Sequence, residues 1–400
     1  MHRGGVRRRE AGKHDAPGVA RYGVGIVPHA TSEPPRRGRA RIAVLVIIIV
    51  IIGVIIWSNK HLTNEYALTP GVAQPVGPLI TISGHPHSAT RRSILLTDVY
   101  LTQLTSWQLF IDTYIDPPAH EEMVSGSQLV GPDVPTAELY NQGYLQMYDS
   151  QNDAKAAAMR ALDLAVTDRS VGVTVVLVPV NAPAFHVVSV ADRIVWARGH
   201  AVSSRCGLID ALAGAVPGQP VALRVERAHF ASDGAITGYS RPKPVESPTS
   251  AVPIADQGQT GCAGHPSESV FLGIELENAF QWHFPVGVSI NTADIGGPSA
   301  GLAMTLGIID ALSRTPITGD LKIAATGTID PLGNVGEIGG AAEKTIAVEN
   351  AGATVFLVPT SNLADAKSTA SPGLTVIGVN TLDQALAVIY RLGGTKPVLI

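Results

Sequence analysis

Cysteine is almost missing from this 400-residue chain, which carries only Cys206 and Cys262. An exported domain with two cysteines can hold one disulfide, but spacing alone does not say that these two meet. Their separation from each other and from any histidine matches no zinc site. The twelve histidines form no HExxH or related cluster, so neither a metal nor another cofactor is expected. No Gly-x-x-x-x-Gly-Lys-Ser/Thr loop occurs, which removes the phosphate-gripping loop of ATP-binding proteins and, with it, ATP as a partner. Gly297 to Gly301 has G-x-S-x-G spacing but is not read as a nucleophile elbow. A strong overall charge is lacking as well: the formal net charge of -4 points to no particular partner.

The distribution of that charge says more. Residues 1–41 hold ten Lys or Arg against three acidic residues, a pattern suited to nucleic acid or to anionic lipid head groups. Directly after it, Ile42 to Trp57 runs for sixteen residues without one charge. As a helix this segment is about 24 Å long, slightly short of the roughly 30 Å hydrocarbon core, and Arg41 and Lys60 can snorkel to the two surfaces. A cleaved signal peptide is the rival, but it wants a short basic region and a small-residue cleavage site. The basic region here is long, and Ser58-Asn59-Lys60-His61-Leu62 follows. The expected layout is a cytoplasmic tail (1–41), a single transmembrane helix (42–58) in the cell membrane, and extracytoplasmic domains beyond it. The tail is then a topology signal, and the bilayer rather than nucleic acid is its partner.

Beyond the anchor, Leu79 to Ile82 and Ser93 to Tyr100 read as strands. A helix is expected from Ser150, with Asp153 closing a capping box. Val171 to Val178, Val187 to Val190 and Val221 to Val225 read as further strands, with a helix from Gly207 to Ala215. Residues 239–264 are dense in Pro, Ser, Thr and Gly and mark the expected linker. After them strands and helices alternate to the end of the chain, with the last helix capped by Thr381, which implies an α/β or α+β domain over 265–395.

Two segments carry chemistry. In Asp294-Ile295-Gly296-Gly297-Pro298-Ser299-Ala300-Gly301 a strand ends, glycines allow a tight turn, and Pro298 sits near the start of the next helix. Ser299 then falls where unpaired helix N–H groups meet developing negative charge. An ordinary glycine-rich turn with serine as a cap reads equally well from this segment alone. In Gly339-Gly340-Ala341-Ala342-Glu343-Lys344 the lysine shares a helix face with Ala341, Val348 and Ala351. Burial lowers a lysine pKa and frees the amine to take a proton from a hydroxyl. A snorkelling lysine, or one paired with Glu343, is the plainer reading.

Together these segments resemble the catalytic signatures of the Lon peptidase family: a Gly-Pro-Ser-Ala-Gly box and, forty-five residues on, a Gly-Gly-x-x-Glu-Lys box. The resemblance covers about residues 270–390. It implies Ser299 as nucleophile and Lys344 as general base, and Gly297 and Pro298 as supports. It also implies Thr326 as a hydrogen-bond partner of the lysine, and an acidic residue before the serine box at Asp294, separated here by Ile295 and Gly296. The whole layout resembles bacterial single-pass proteins with an anchor, a PDZ domain and a Lon-type peptidase domain. That places a PDZ-like, mostly β domain within 61–238, its later part at 183–227. The expected function is ATP-independent serine endopeptidase action on extracytoplasmic proteins, with a homo-oligomer left open. The alternative is an inert cell-envelope scaffold that binds peptides through the PDZ-like module.

Overall fold

The computed structural model describes residues 37–84, 93–130, 134–251, 262, 270–293 and 295–399. It divides into two units, 1–56 and 57–400. The first contributes most of helix α1 (Arg37–Ser58), whose apolar side chains from Ile42 to Ile56 are exposed or nearly so. Among the described residues this is the one helix long and apolar enough to cross a membrane.

The second unit is built on two sheets. Along the chain run β1 (Leu62–Pro75), β2 (Ile94–Thr105), α2 (Ser106–Tyr114), β3 (Glu122–Ser125) and the long helix α3 (Thr136–Ala161). Next come β4 (Thr167–Leu177), β5 (Arg193–Ala197), α4 (Arg205–Leu212), β6 (Val221–Glu226), β7 (Lys243–Ser247) and β8 (Glu275–His283). The chain closes with α5 (Gly301–Ala311), β9 (Ile323–Ala325), α6 (Ala341–Asn350), β10 (Val355–Pro359), β11 (Thr375–Val379) and α7 (Leu382–Arg391).

The larger sheet has the order β11-β10-β9-β2-β1-β3. From β11 to β2 the strands are parallel, and β1 and β3 are added antiparallel. Register stacks Leu96, Ala325 and Leu357 in one row and Leu95, Ala324 and Phe356 in the next. Because side chains alternate faces along a strand, the first row joins the core under α3, α5 and α7, and the second joins the core under α6. Both faces are buried, as a parallel sheet requires.

This sheet crosses the boundary expected at 239–264. The strands that follow α1 pair with those of the C-terminal α/β region and complete its sheet. A single sequence hides this, since the pairing Ile94–Ile323 leaves no local pattern. Residues between Thr167 and His283 form the second sheet, β7-β6-β5-β4-β8, antiparallel throughout, with its own core. This inserted body contains the 183–227 stretch read as PDZ-like. Val187 to Val190 is not a strand: the Val187 and Val188 N–H groups turn back to the Ala184 carbonyl, and Val188 and Val190 fill the core. Cys206 on α4 is bonded to Cys262, with Cα atoms 5.6 Å apart.

Helix α3 begins fourteen residues before the position expected from sequence. Pro135 precedes its first turn, and the apparent capping box at Ser150–Asp153 lies in its middle. Its face serves both bodies: Met147 and Ala154 sit in the larger core and Leu145 in the inserted one.

A fragment of 265–395 alone lacks β1 and β2. That leaves β9 with an unpaired edge and strips a neighbour from two apolar rows. It is expected to show no cooperative thermal melt and no near-UV dichroism, while Leu96→Ala in the full chain should cost about 2–5 kcal/mol. A sharp melt from the fragment would show that the early strands are dispensable.

Candidate active site

The parallel strand β9 ends at Ala325, and Thr326-Gly327 follows in the crevice where parallel α/β sheets place their ligands. Helix α5 lies on one face of the sheet and α6 on the other. Alanines at 324 and 325 fill little space between them.

Ser299 sits in the turn before α5, whose first residue is Gly301. The expected helix start at Gly297 is therefore two to four residues early. Gly297 takes a φ of +83°, a left-handed conformation that a side chain resists, and its N–H donates to the Gly143 carbonyl on α3 at 2.7 Å. The Ser150 hydroxyl, read from sequence as a helix cap, donates to the Pro298 carbonyl at 3.0 Å. Gln151 Nε2 donates to Thr292 Oγ1 at 3.0 Å. Three successive points on α3 thus clamp the segment that presents Ser299. None was visible in the sequence, because their partners lie far along the chain.

The carbonyl of Ser299 accepts two bonds, from the Gly327 N–H at 2.8 Å and from the Thr326 hydroxyl at 3.1 Å. Thr326 thus departs from its expected part as a partner of the lysine: its buried hydroxyl turns to the backbone of the serine. Asp294 lies outside the described residues. Among the described residues, the N–H groups of Ser299 and Ala300 meet no acceptor, leaving two donors at the head of α5.

Lys344 approaches from α6. Its helix begins after Gly340, where φ is +65° and a Cβ would stand 2.9 Å from Val99 on β2; only glycine brings the helix this close. Lys344 is 2% exposed, and its Nζ donates to Ser299 Oγ at 2.8 Å. Burial pushes its pKa down to about 8, against the opposing pull of Asp98 and Glu343. Asp98 lies on β2, so a strand from the early part of the chain supplies part of the field around the lysine. Its Oδ1 also accepts the Val72 N–H at 2.6 Å, which ties it to β1.

Two carboxyls on α3 are raised to about 7. Asp149 is raised by burial and then by Glu277 and Asp153, and Asp153 by burial and then by Asp330 and Glu277. A cavity of about 450 Å³, lined in part by Tyr144, Met147, Gln151, Ile236, Thr292 and Ile295, opens along the segment leading to Ser299. Among the described residues, no three His, Cys, Asp or Glu side chains are grouped to hold a metal.

With Lys344 lowered from 10.5 to about 8, the unfolded chain holds the extra proton between those values and the folded chain does not. Stability should therefore rise with pH from about 8 to about 10.5, above the range in which Asp149 and Asp153 titrate. Lys344→Met should remove its share of that rise, leaving the part due to Lys155, whose pKa burial also lowers. It should also add about 1–4 kcal/mol near pH 7, as when a buried charge gives way to a packed apolar group. Denaturant melts of both proteins from pH 7 to 10.5 measure this, and parallel curves would refute a buried, depressed lysine.

Residues 273–391 match the family model of the Lon protease (S16) C-terminal proteolytic domain. Similar proteins include Lon protease 1 of Sorangium cellulosum, 32% identical over 142 residues, 35% of this chain and 17% of the relative. Lon protease of Xanthomonas oryzae pv. oryzae is 33% identical over 118 residues, covering 29% and 14%. Lon protease 2 of Herpetosiphon aurantiacus is 34% identical over 97 residues, covering 24% and 12%. The chain spans less than a fifth of the length of these relatives. The matched stretch holds β9, β10 and β11, whereas β1 and β2 of the same sheet lie outside it. Residues 273–391 are thus a Lon-protease-like (S16) proteolytic domain, which sets this part of the chain in the class of serine-type endopeptidases.

Proposed function

We propose that the chain is a membrane-anchored, ATP-independent serine endopeptidase that works through a Ser299–Lys344 dyad. One observation carries the reading: a buried lysine with a pKa near 8 lies 2.8 Å from a serine hydroxyl at the head of a helix. At pH 7 about one such lysine in ten is neutral, enough to act as a base. Neutral Nζ takes the Ser299 proton as Oγ attacks the peptide carbonyl. The oxyanion forms against the N–H groups of Ser299 and Ala300. Lys344 returns the proton to the departing amine, and then activates the water that hydrolyses the acyl ester. In this reading Thr326 and Gly327 position the nucleophile through its carbonyl. The cavity beside Thr292 and Ile295 accepts part of an unfolded protein or peptide substrate.

The anchor reading rests on the uncharged run in α1 and the basic excess before it, which together favour a cytoplasmic N-terminus and an extracytoplasmic enzyme. Within the inserted body, residues 183–227 are read as the later part of a PDZ-like module that captures peptide segments. Its support is the helix α4 and strand order within one antiparallel sheet.

Casein cleavage by the full chain in detergent should be abolished by Ser299→Ala and Lys344→Ala. Lys344→Arg should be equally inactive, since a guanidinium stays protonated. The wild-type rate should climb through about pH 8 and level off above it. Activity in Lys344→Arg would overturn the dyad. A wild type that neither cleaves nor takes up a serine-directed electrophile at Ser299 would leave the scaffold reading.

Topology has its own test. In intact cells a membrane-impermeant thiol reagent should label Ala251→Cys and leave Ala20→Cys untouched. Equal labelling, or equal protection, of the two positions would refute the exported arrangement.

A further inference from the structure

The chain leaves α1 at Ser58 and enters β1 at Leu62. At the far end of β2, paired with that entry point, stands α2, which has no buried residue. An isolated nine-residue helix is marginal in water, yet this one is firmly begun. Thr105 accepts the Gln108 N–H, and Gln108 Oε1 accepts the Thr105 N–H, closing a capping box.

Its start is fastened to the segment that follows the anchor. The Ser106 N–H donates to the His61 carbonyl at 2.8 Å, and the Ser106 hydroxyl donates to the same oxygen at 3.3 Å. Thr105 Oγ1 donates to Asn59 Oδ1 at 3.5 Å.

Trp107, Phe110 and Tyr114 fall on one face at i, i+3 and i+7. Successive ring centroids are 5.8 and 5.6 Å apart. Phe110 is 45% exposed, Tyr114 76% and the following Ile115 60%. Trp57 and Leu62, at the junction to which the helix is fastened, are exposed as well.

We propose that α2 is an interfacial helix that lies on the bilayer at the level of the Trp57–His61 junction and gives the peptidase a second membrane contact. The inference rests on α1 spanning the membrane. If it does, the junction at Trp57–His61 lies at head-group level, and the bonds from Thr105 and Ser106 hold α2 within a few residues of it. Trp and Tyr favour that level because their rings are apolar and their edges polar.

The chemistry selects among lipid surfaces. Helix α2 carries Asp112 and no Lys or Arg, so its attraction is aromatic rather than electrostatic, and zwitterionic lipid should suffice. The contact would also fix the height of the site. Asp98, which acts on Lys344, lies seven residues along β2 from Thr105, about 20 Å at the rise of a strand. The dyad would then serve chain segments just above the membrane surface.

The test uses the full chain reconstituted in vesicles of brominated phosphatidylcholine, with three variants that each keep one tryptophan, at 57, 107 or 196. Bromine quenches indole fluorescence only on contact. Trp107 should be quenched about half as strongly as Trp57 or more, while Trp196 stays bright. Adding Phe110→Ser and Tyr114→Ser should return Trp107 to the level of Trp196 without altering the circular dichroism, since none of these side chains is buried. Replacing part of the lipid with an anionic one should leave the quenching unchanged. Quenching at Trp57 but not at Trp107 would overturn the proposal while sparing the anchor. No quenching at Trp57 would remove the anchor and the proposal together. Disulfide cross-links between copies carrying Tyr114→Cys, with Trp107 bright, would assign the face to a second copy of the chain.

Discussion

An ammonium buried beside a hydroxyl at the end of a parallel strand is the constraint that orders the rest of this molecule. Lys344 is enclosed almost completely, so its charge must be offset by neighbours or given up. Asp98 and Glu343 offset part of it, and burial wins by enough to bring the pKa near 8. That balance requires α6 to approach β2 within the reach of Val99, and Gly340 permits the approach. It also requires Ser299 to hold one position. The bonds from Thr326, Gly327 and the α3 residues Gly143 and Ser150 hold its loop from several sides.

Helix α3 makes the two bodies one apparatus. The residues that clamp the serine loop alternate along it with Leu145, which is buried in the inserted core, and Met147, buried in the larger one. Asp149 and Asp153 continue the row of Leu145 at i+4 and i+8 and are raised toward neutrality by burial. A displacement of the inserted sheet cannot leave α3 untouched, and a displacement of α3 bears on Pro298 and Gly297 directly.

Much of the candidate site was legible in the sequence because its residues lie in local patterns. A serine box at a helix head and a lysine on an apolar helix face are patterns of a few residues each, and the two side chains do meet. Thr381 caps the last helix as its spacing with Gln384 suggests. The failures share one cause, dependence on partners far along the chain. Ser150 and Asp153 have the spacing of a capping box, but tertiary packing extends the helix through them and hands the serine hydroxyl to Pro298. The segment Leu62 to Thr105 reads as loose strands after an anchor, because nothing within it announces Ile323 as the neighbour of Ile94. The dense Pro, Ser and Gly of 239–264 hide β7 (Lys243–Ser247), a strand of the inserted sheet. Thr326 sits where the resemblance puts it, and its hydroxyl turns to a different partner.

The split sheet also bears on the order in which the molecule comes into being. Strands β1 and β2 leave the ribosome early, whereas β9, which pairs with β2, follows only after the entire inserted body. Contacts of such long range close late in folding. The inserted sheet, whose strands are near neighbours along the chain, can form while the larger one is still waiting. Asp98 is thus present throughout elongation, while Lys344 comes near the end and is buried only when α6 settles against β2. In a nascent chain the contact between Lys344 and Ser299 is therefore among the last to close, long after the strand that carries Asp98 has been made.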